Sequence, residues 1–130
     1  MPTDQASSVV AKVLSLDVVD DLTDLARVRA WARAELRDLA GEDLADTILV
    51  LDELVSNALR HGKGSRRVRL LRQPGRLRIE VDDSGRTPAV PRPPSDNGGR
   101  GLALIDACAA TWGQDPRDDG KTVWAELRVA

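Results

Sequence analysis

The sequence predicts an α+β fold in two layers, with helices covering one face of a mostly antiparallel sheet. Three observations lead there. Two long stretches carry apolar residues at helical spacing, a Pro-Gly turn joins two alternating segments as in a hairpin, and the elements run β α α β β α β. That order is neither doubly wound nor all-helical.

The elements are read in chain order. Residues 1–8 are polar and are expected to be a flexible N-terminus; residues 9–130 are expected to form one domain. Residues 9–16 are rich in β-branched side chains and predict a strand. Leu22, Leu25, Val28, Ala32, Leu36 and Leu39 share one helical face. Asp20, Asp21 and Asp24 suit the positive end of that helix dipole, and Gly41 is its expected stop. A second helix is predicted from about Glu42 to His61, with Leu44, Ile48, Leu51, Val55 and Ala58 as its apolar face. Segments 66–72 and 76–82 predict a hairpin, with Leu77, Ile79 and Val81 inward and Arg76, Arg78 and Glu80 on a wet face. Residues 83–97 hold four prolines and read as a loop of the length often used as a lid. A third helix follows Gly101 and ends before Gly113; a turn at Asp118-Asp119-Gly120 leads to a final strand, 121–129.

Composition removes several function classes. Nineteen basic and 21 acidic residues leave a net charge of −2, so no chain-wide basic footprint for nucleic acid or anionic membrane exists. With no Phe or Tyr and only Trp31, Trp112 and Trp124, successive stacking platforms for single strands are missing. One cysteine and one histidine exclude an intrachain disulfide and a structural zinc site. Apolar runs such as Ile48-Leu49-Val50-Leu51 fall far short of the ~20 residues that span a bilayer. The first residues lack the pattern of a signal peptide, and a cytoplasmic location is the default expectation.

Four places can carry chemistry. Glu53 and Asn57 lie one helical turn apart, about 6 Å along the axis, on a stripe beside Val50 and Leu54. A carboxylate and an amide so placed can share a hard cation, or one can bind it while the other activates a nucleophile; Mg²⁺ suits a site with one or two protein ligands plus phosphate oxygens. Asp83 closes a strand before Ser84-Gly85 and can accept from a ligand amine or simply belong to a turn. Gly98-Gly99-Arg100-Gly101-Leu102 opens a helix, where backbone N–H groups can meet a phosphate or merely form a hinge. Thr122 can reach a ligand or only favour β structure. His61 is expected to satisfy carbonyls at a helix end, and Cys108 to be a small buried apolar residue.

Taken in order, these motifs resemble the GHKL ATPases, the superfamily of gyrase, histidine kinases, MutL and the related heat-shock chaperones. Asp52-Glu53-Leu54-Val55-Ser56-Asn57-Ala58-Leu59-Arg60-His61-Gly62, Gly99-Arg100-Gly101-Leu102 and Gly120-Lys121-Thr122-Val123-Trp124 look like the bacterial anti-sigma factor serine kinases within it. The resemblance covers roughly residues 9–129 and implies a Bergerat-type α/β sandwich that binds Mg-ATP. It implies Glu53 as the acid polarising the attacking hydroxyl and Asn57 as the Mg²⁺ ligand. Asp83 would accept from the adenine amine with Gly85 passing the ring, and Thr122 would lie near adenine. Gly99, Arg100, Gly101 and Leu102 would form the lid end of the ATP site. The implied partners are a sigma factor and a STAS-domain anti-anti-sigma protein phosphorylated on serine; dimers are common in the group, so a homodimer is expected too.

The chain departs from the family at Thr87, where a second glycine is frequent, and in a short, proline-rich lid at about residues 86–98. No phosphoacceptor-histidine helix pair is read before the domain, so a complete sensor histidine kinase is not the expectation. Two rivals remain beside the kinase: an ATP-sensing adaptor that never transfers phosphate, and a simple ATP hydrolase.

Overall fold

The structure, a computed structural model, describes residues 12–18, 22–61, 66–84 and 101–130. Strand β1 (Lys12–Val18) leads through a 3-10 turn (Leu22–Asp24) into α1 (Leu25–Glu35) and α2 (Gly41–His61). The hairpin β2 (Arg66–Gln73) and β3 (Arg76–Asp83) follows, then α3 (Gly101–Cys108), β4 (Thr111–Arg117) and β5 (Gly120–Arg128). The five strands form one antiparallel sheet in the order β1-β2-β3-β5-β4.

Alternation explains the layer. Val68 and Leu70 of β2, Leu77, Ile79 and Val81 of β3, and Val123, Ala125 and Leu127 of β5 turn to one face and are buried. Against them pack Val28 and Ala32 of α1, Ile105 of α3 and five residues of α2 that are at most 5% exposed. The opposite face is lined with ion pairs: Arg69 meets Glu80 and Asp82, Arg78 meets Glu80 and Glu126, and the Arg78 guanidinium stacks 4.1 Å above the Trp124 ring. The α+β class, the helix-covered antiparallel sheet and the inward set of the hairpin agree with the sequence reading. Pro74 and Gly75 make the hairpin turn, Gly75 at φ 75°, a conformation glycine adopts without strain.

Four expectations need correction. The sequence reading has four strands; the described residues form five, the extra one being β4 (Thr111–Arg117). Gly113 and Pro116 argue against a strand, yet β4 is at the sheet edge, where a missing N–H costs no ladder bond. The first helix ends at Glu35 rather than near Leu39. Leu36 and Leu39 stay buried in the turn that follows, joined by a 2.9 Å backbone bond, so the apolar pattern outlasts the helix. Gly41 begins α2 as well as ending the connection. Finally, β1 lies at 12–18, two residues later than read at its end, and Val18 enters the core.

No helix among the described residues is long and apolar enough to cross a membrane.

Candidate functional site

Helix α2 is the spine of the site. Val50, Leu51, Leu54 and Val55 are all at most 1% exposed, so its buried arc is wider than the face read from the sequence. A helix lying on a sheet and flanked by two others must bury more than one stripe. Glu53 and Asn57 are half-buried at the margin of that arc. Burial raises the Glu53 carboxyl above the ordinary glutamate range; the neighbouring Asp52 carboxylate adds to this and Arg60 opposes it. Asp52 is held aside by Arg29 of α1, Nε to Oδ1 at 2.6 Å. Glu53 thus has the setting of a carboxylate kept nearer to proton-accepting strength.

The second part of the site is the end of the sheet. Arg66, Asp83 and Lys121 occupy neighbouring register positions on β2, β3 and β5, all on the helix-facing side and all at most 4% exposed. Lys121 Nζ lies 3.3 Å from Asp83 Oδ1 and 3.2 Å from Oδ2. Arg66 Nε donates to the Ala58 carbonyl at 3.0 Å. That bond ties the sheet end to the last turns of α2, next to Asn57. A cavity of about 430 Å³ adjoins this end and is lined in part by Asp17, Val18, Arg66, Asp83 and Ser84. Gly120 has φ 153°, and a Cβ there would run into the Asp83 carbonyl oxygen, so the two strands close more tightly here than any other residue allows.

Thr122 is elsewhere. It pairs with Asp82, not Asp83, and its hydroxyl donates to Asp82 Oδ1 at 2.6 Å on the ion-paired face. The side chains of Thr122 and Asp83 thus lie on opposite faces of the sheet. Strand alternation is the reason, since Val123, Ala125 and Leu127 face the helices and carry residue 121 with them. The sequence reading missed Lys121 and Arg66, although the same alternation signals both.

Of the other expected site residues, Gly101 and Leu102 open α3, and their side-chain positions are outside the described part of the structure. Gly85, Gly99 and Arg100, with the expected lid, also lie outside the described residues, as does the His61 side chain. Cys108 is partly buried against the core, and burial, with Asp46, pushes its thiol up, which fits a packing role.

An Asn amide and a Glu carboxylate one turn apart are hard oxygen donors that fit Mg²⁺ held mainly by phosphate and water. At the sheet end a buried carboxylate fits a hydrogen-bonding base, with an ammonium already at its side.

The fold is shared with known proteins. A crystal structure of the RsbU and RsbW domains of Rv1364c from Mycobacterium tuberculosis aligns with a TM-score of 0.72 at 22% identity, over 92% of this chain and 33% of that one. This chain therefore spans about a third of that protein's length. The histidine kinase domain of the blue-light-activated EL346 from Erythrobacter litoralis aligns at 0.51 and 20% identity, over 83% of this chain and 60% of that one. The histidine kinase AdeS of Acinetobacter baumannii aligns at 0.54 and 14% identity, over 90% and 68%. At these identities the likeness is one of fold. No curated protein sequence matches. The family model of the histidine kinase-like ATPase domain matches residues 18–127, nearly the whole of the described fold, and the chain belongs to that family.

Proposed function

We propose that this domain binds Mg-ATP and transfers its γ-phosphoryl group to a serine of a partner protein. The observation that carries the reading is Glu53: a half-buried carboxylate, raised by burial, one turn from an amide on the central helix of a histidine kinase-like ATPase domain. Asn57 would hold Mg²⁺ through its side-chain oxygen, and the ion would neutralise phosphate charge. Asp83 would receive the base amine. The lid residues Gly99, Arg100, Gly101 and Leu102, with Gly85 at the adenine-side turn, complete the ATP site in this reading. Glu53 takes the proton of the attacking serine hydroxyl as the oxygen–phosphorus bond forms and ADP leaves. Phosphoryl transfer needs little more than such positioning and charge neutralisation.

The motif resemblance supports a STAS-domain anti-anti-sigma protein as the phosphorylated partner and a sigma factor as the protein sequestered. The fold likeness to a protein carrying an RsbW domain points the same way.

A second reading of the same site is an ATP-sensing adaptor that binds the nucleotide without transfer. Calorimetry with Mg-ATP on wild type, Asn57→Ala and Asp83→Asn tests the nucleotide site: magnesium-dependent binding weakened in both variants is expected. A transfer assay on a STAS partner then separates the readings. Glu53→Ala that binds ATP but transfers nothing supports the kinase; a wild type that binds and never transfers supports the adaptor; no binding at millimolar ATP overturns both.

A further inference from the structure

Arg66 is a cation at a position where alternation calls for an apolar side chain. It opens the inward row of β2, ahead of Val68 and Leu70, and is 4% exposed. A charge loses its hydration there, and only directed polar contacts compensate. One such contact joins the sheet to the helix layer: Arg66 Nε donates to the Ala58 carbonyl oxygen at 3.0 Å, in a buried bond. Ala58 lies in the last turn of α2, the end of a helix where carbonyls present partial negative charge to a cation.

The bond runs between the two halves of the candidate site. On the strand side, Arg66 is the register partner of Asp83. On the helix side, Ala58 directly follows Asn57. A turn held at one carbonyl cannot slide along the helix axis or rotate about it without losing that bond, and the neighbouring side chain moves with the turn. The apolar packing of Val50, Leu51, Leu54 and Val55 seats α2 on the sheet, but such contacts are non-directional. The Arg66 bond adds direction at the end of the helix where Asn57 stands.

We propose that Arg66 is a positioning residue: through the Ala58 carbonyl it holds the Asn57 amide in register with Asp83, so that one nucleotide can reach both. This rests on the reading of Asn57 as the Mg²⁺ ligand and Asp83 as the acceptor of the base. A misplacement of about 1 Å in such a constellation can cost about 100-fold.

Two substitutions of similar shape isolate the donor. Arg66→Gln places an amide N–H where Nε stands, and Arg66→Met places a methyl group there. Calorimetry compares ATP binding in Mg²⁺ with ATP binding in excess EDTA, and thermal melts establish folding. Wild type should bind at least about tenfold more tightly with Mg²⁺. Arg66→Met should lose most of that magnesium-dependent gain and hold metal-free ATP within about threefold, while Arg66→Gln should keep the gain within about threefold. In an Asn57→Ala background, Arg66→Met should remove nothing further, since both changes act through the same amide. Equal weakening of ATP with and without Mg²⁺ by Arg66→Met overturns the positioning role and leaves the nucleotide site standing. So does a folded Arg66→Gln without the gain, or an additive loss in the double variant. Failure of Arg66→Met to fold makes the bond a requirement of the fold and overturns the role as well. Wild type with no magnesium gain overturns the assignment of Asn57, and wild type that binds no ATP overturns the site; either result takes this inference with it.

Discussion

Asp82 and Asp83 are consecutive in β3 yet take their partners from opposite faces of the sheet. Asp82 Oδ1 accepts from Thr122 at 2.6 Å and from Arg69 at 2.9 Å, with Arg117 at 3.7 Å. Asp83 meets Lys121 among the buried residues below the helices. Substituting each should separate structure from binding. Asp82→Asn weakens charge-assisted bonds and should cost about 1–3 kcal/mol in urea unfolding, with Mg-ATP affinity held within about threefold. Asp83→Asn also strips a buried ammonium of its counter-charge, and should lower stability and reduce Mg-ATP affinity by about tenfold or more.

Glu53 should show itself in pH dependence. Its carboxyl is raised in the folded chain, so the folded state keeps a proton that the unfolded chain has released. The stabilisation from this group is complete below the ordinary glutamate range and is lost as pH rises through the raised folded value. Phosphoryl transfer runs oppositely, since the base must be ionised: its rate should rise over the same interval. Glu53→Gln should cut transfer at least about 100-fold while sparing Mg-ATP binding. It should also melt above wild type at neutral pH, because a disfavoured carboxylate is gone. Initial rates and thermal melts between pH 4 and 9 (about that span is enough to cover both limbs) check both signs.

Gly120 admits no side chain. Its φ of 153° and its contact with the Asp83 carbonyl mean that Gly120→Ala must move backbone, not a flexible side chain. A loss of about 1–3 kcal/mol is expected from chemical denaturation. Because the displaced backbone is that of Asp83, nucleotide affinity should fall with it.

Leu51 is fully buried on α2. Leu51→Ala should cost about 2–5 kcal/mol in urea unfolding, the range for truncating a core leucine. A value well under 1 kcal/mol would mean that α2 does not seat on the sheet as described (about that little is typical of a surface site).

The layers of this fold were legible because burial leaves period-two and helical-period signals in the chain. Leu77, Ile79 and Val81 announced one sheet face, and the spacing from Ile48 to Ala58 announced α2. Strand β4 was hidden because an edge strand meets weaker demands: Gly113 fits beneath the Trp124 ring where a Cβ would approach to 2.8 Å, and Pro116 forfeits nothing. Of the candidate site, local spacing brings out Glu53, Asn57 and Asp83, whose residue types suit the proposed chemistry. A hydroxyl looks like a ligand group and a lysine looks like surface, so spacing alone does not bring out Lys121 beside Asp83. Which of two neighbours faces the helices depends on the register of β5 against β3, a relation between residues about 40 positions apart.

The strand order carries a kinetic consequence. The β2–β3 and β4–β5 hairpins close through short turns and can form locally. Leu16 finds Val68, and Val81 finds Val123, only after chain segments of more than 40 residues have been drawn in. Loop-closure entropy falls early and its reward arrives late, so refolding should be paced by these two seams, in roughly the millisecond-to-second range of mixed and β-rich domains. The seam between β3 and β5 is also the one that brings Asp83 to Lys121. The Asp83–Lys121 pair, where the proposed base site lies, is therefore assembled by the slow step of folding, and stopped-flow refolding should recover nucleotide binding in that phase, after the hairpins have formed.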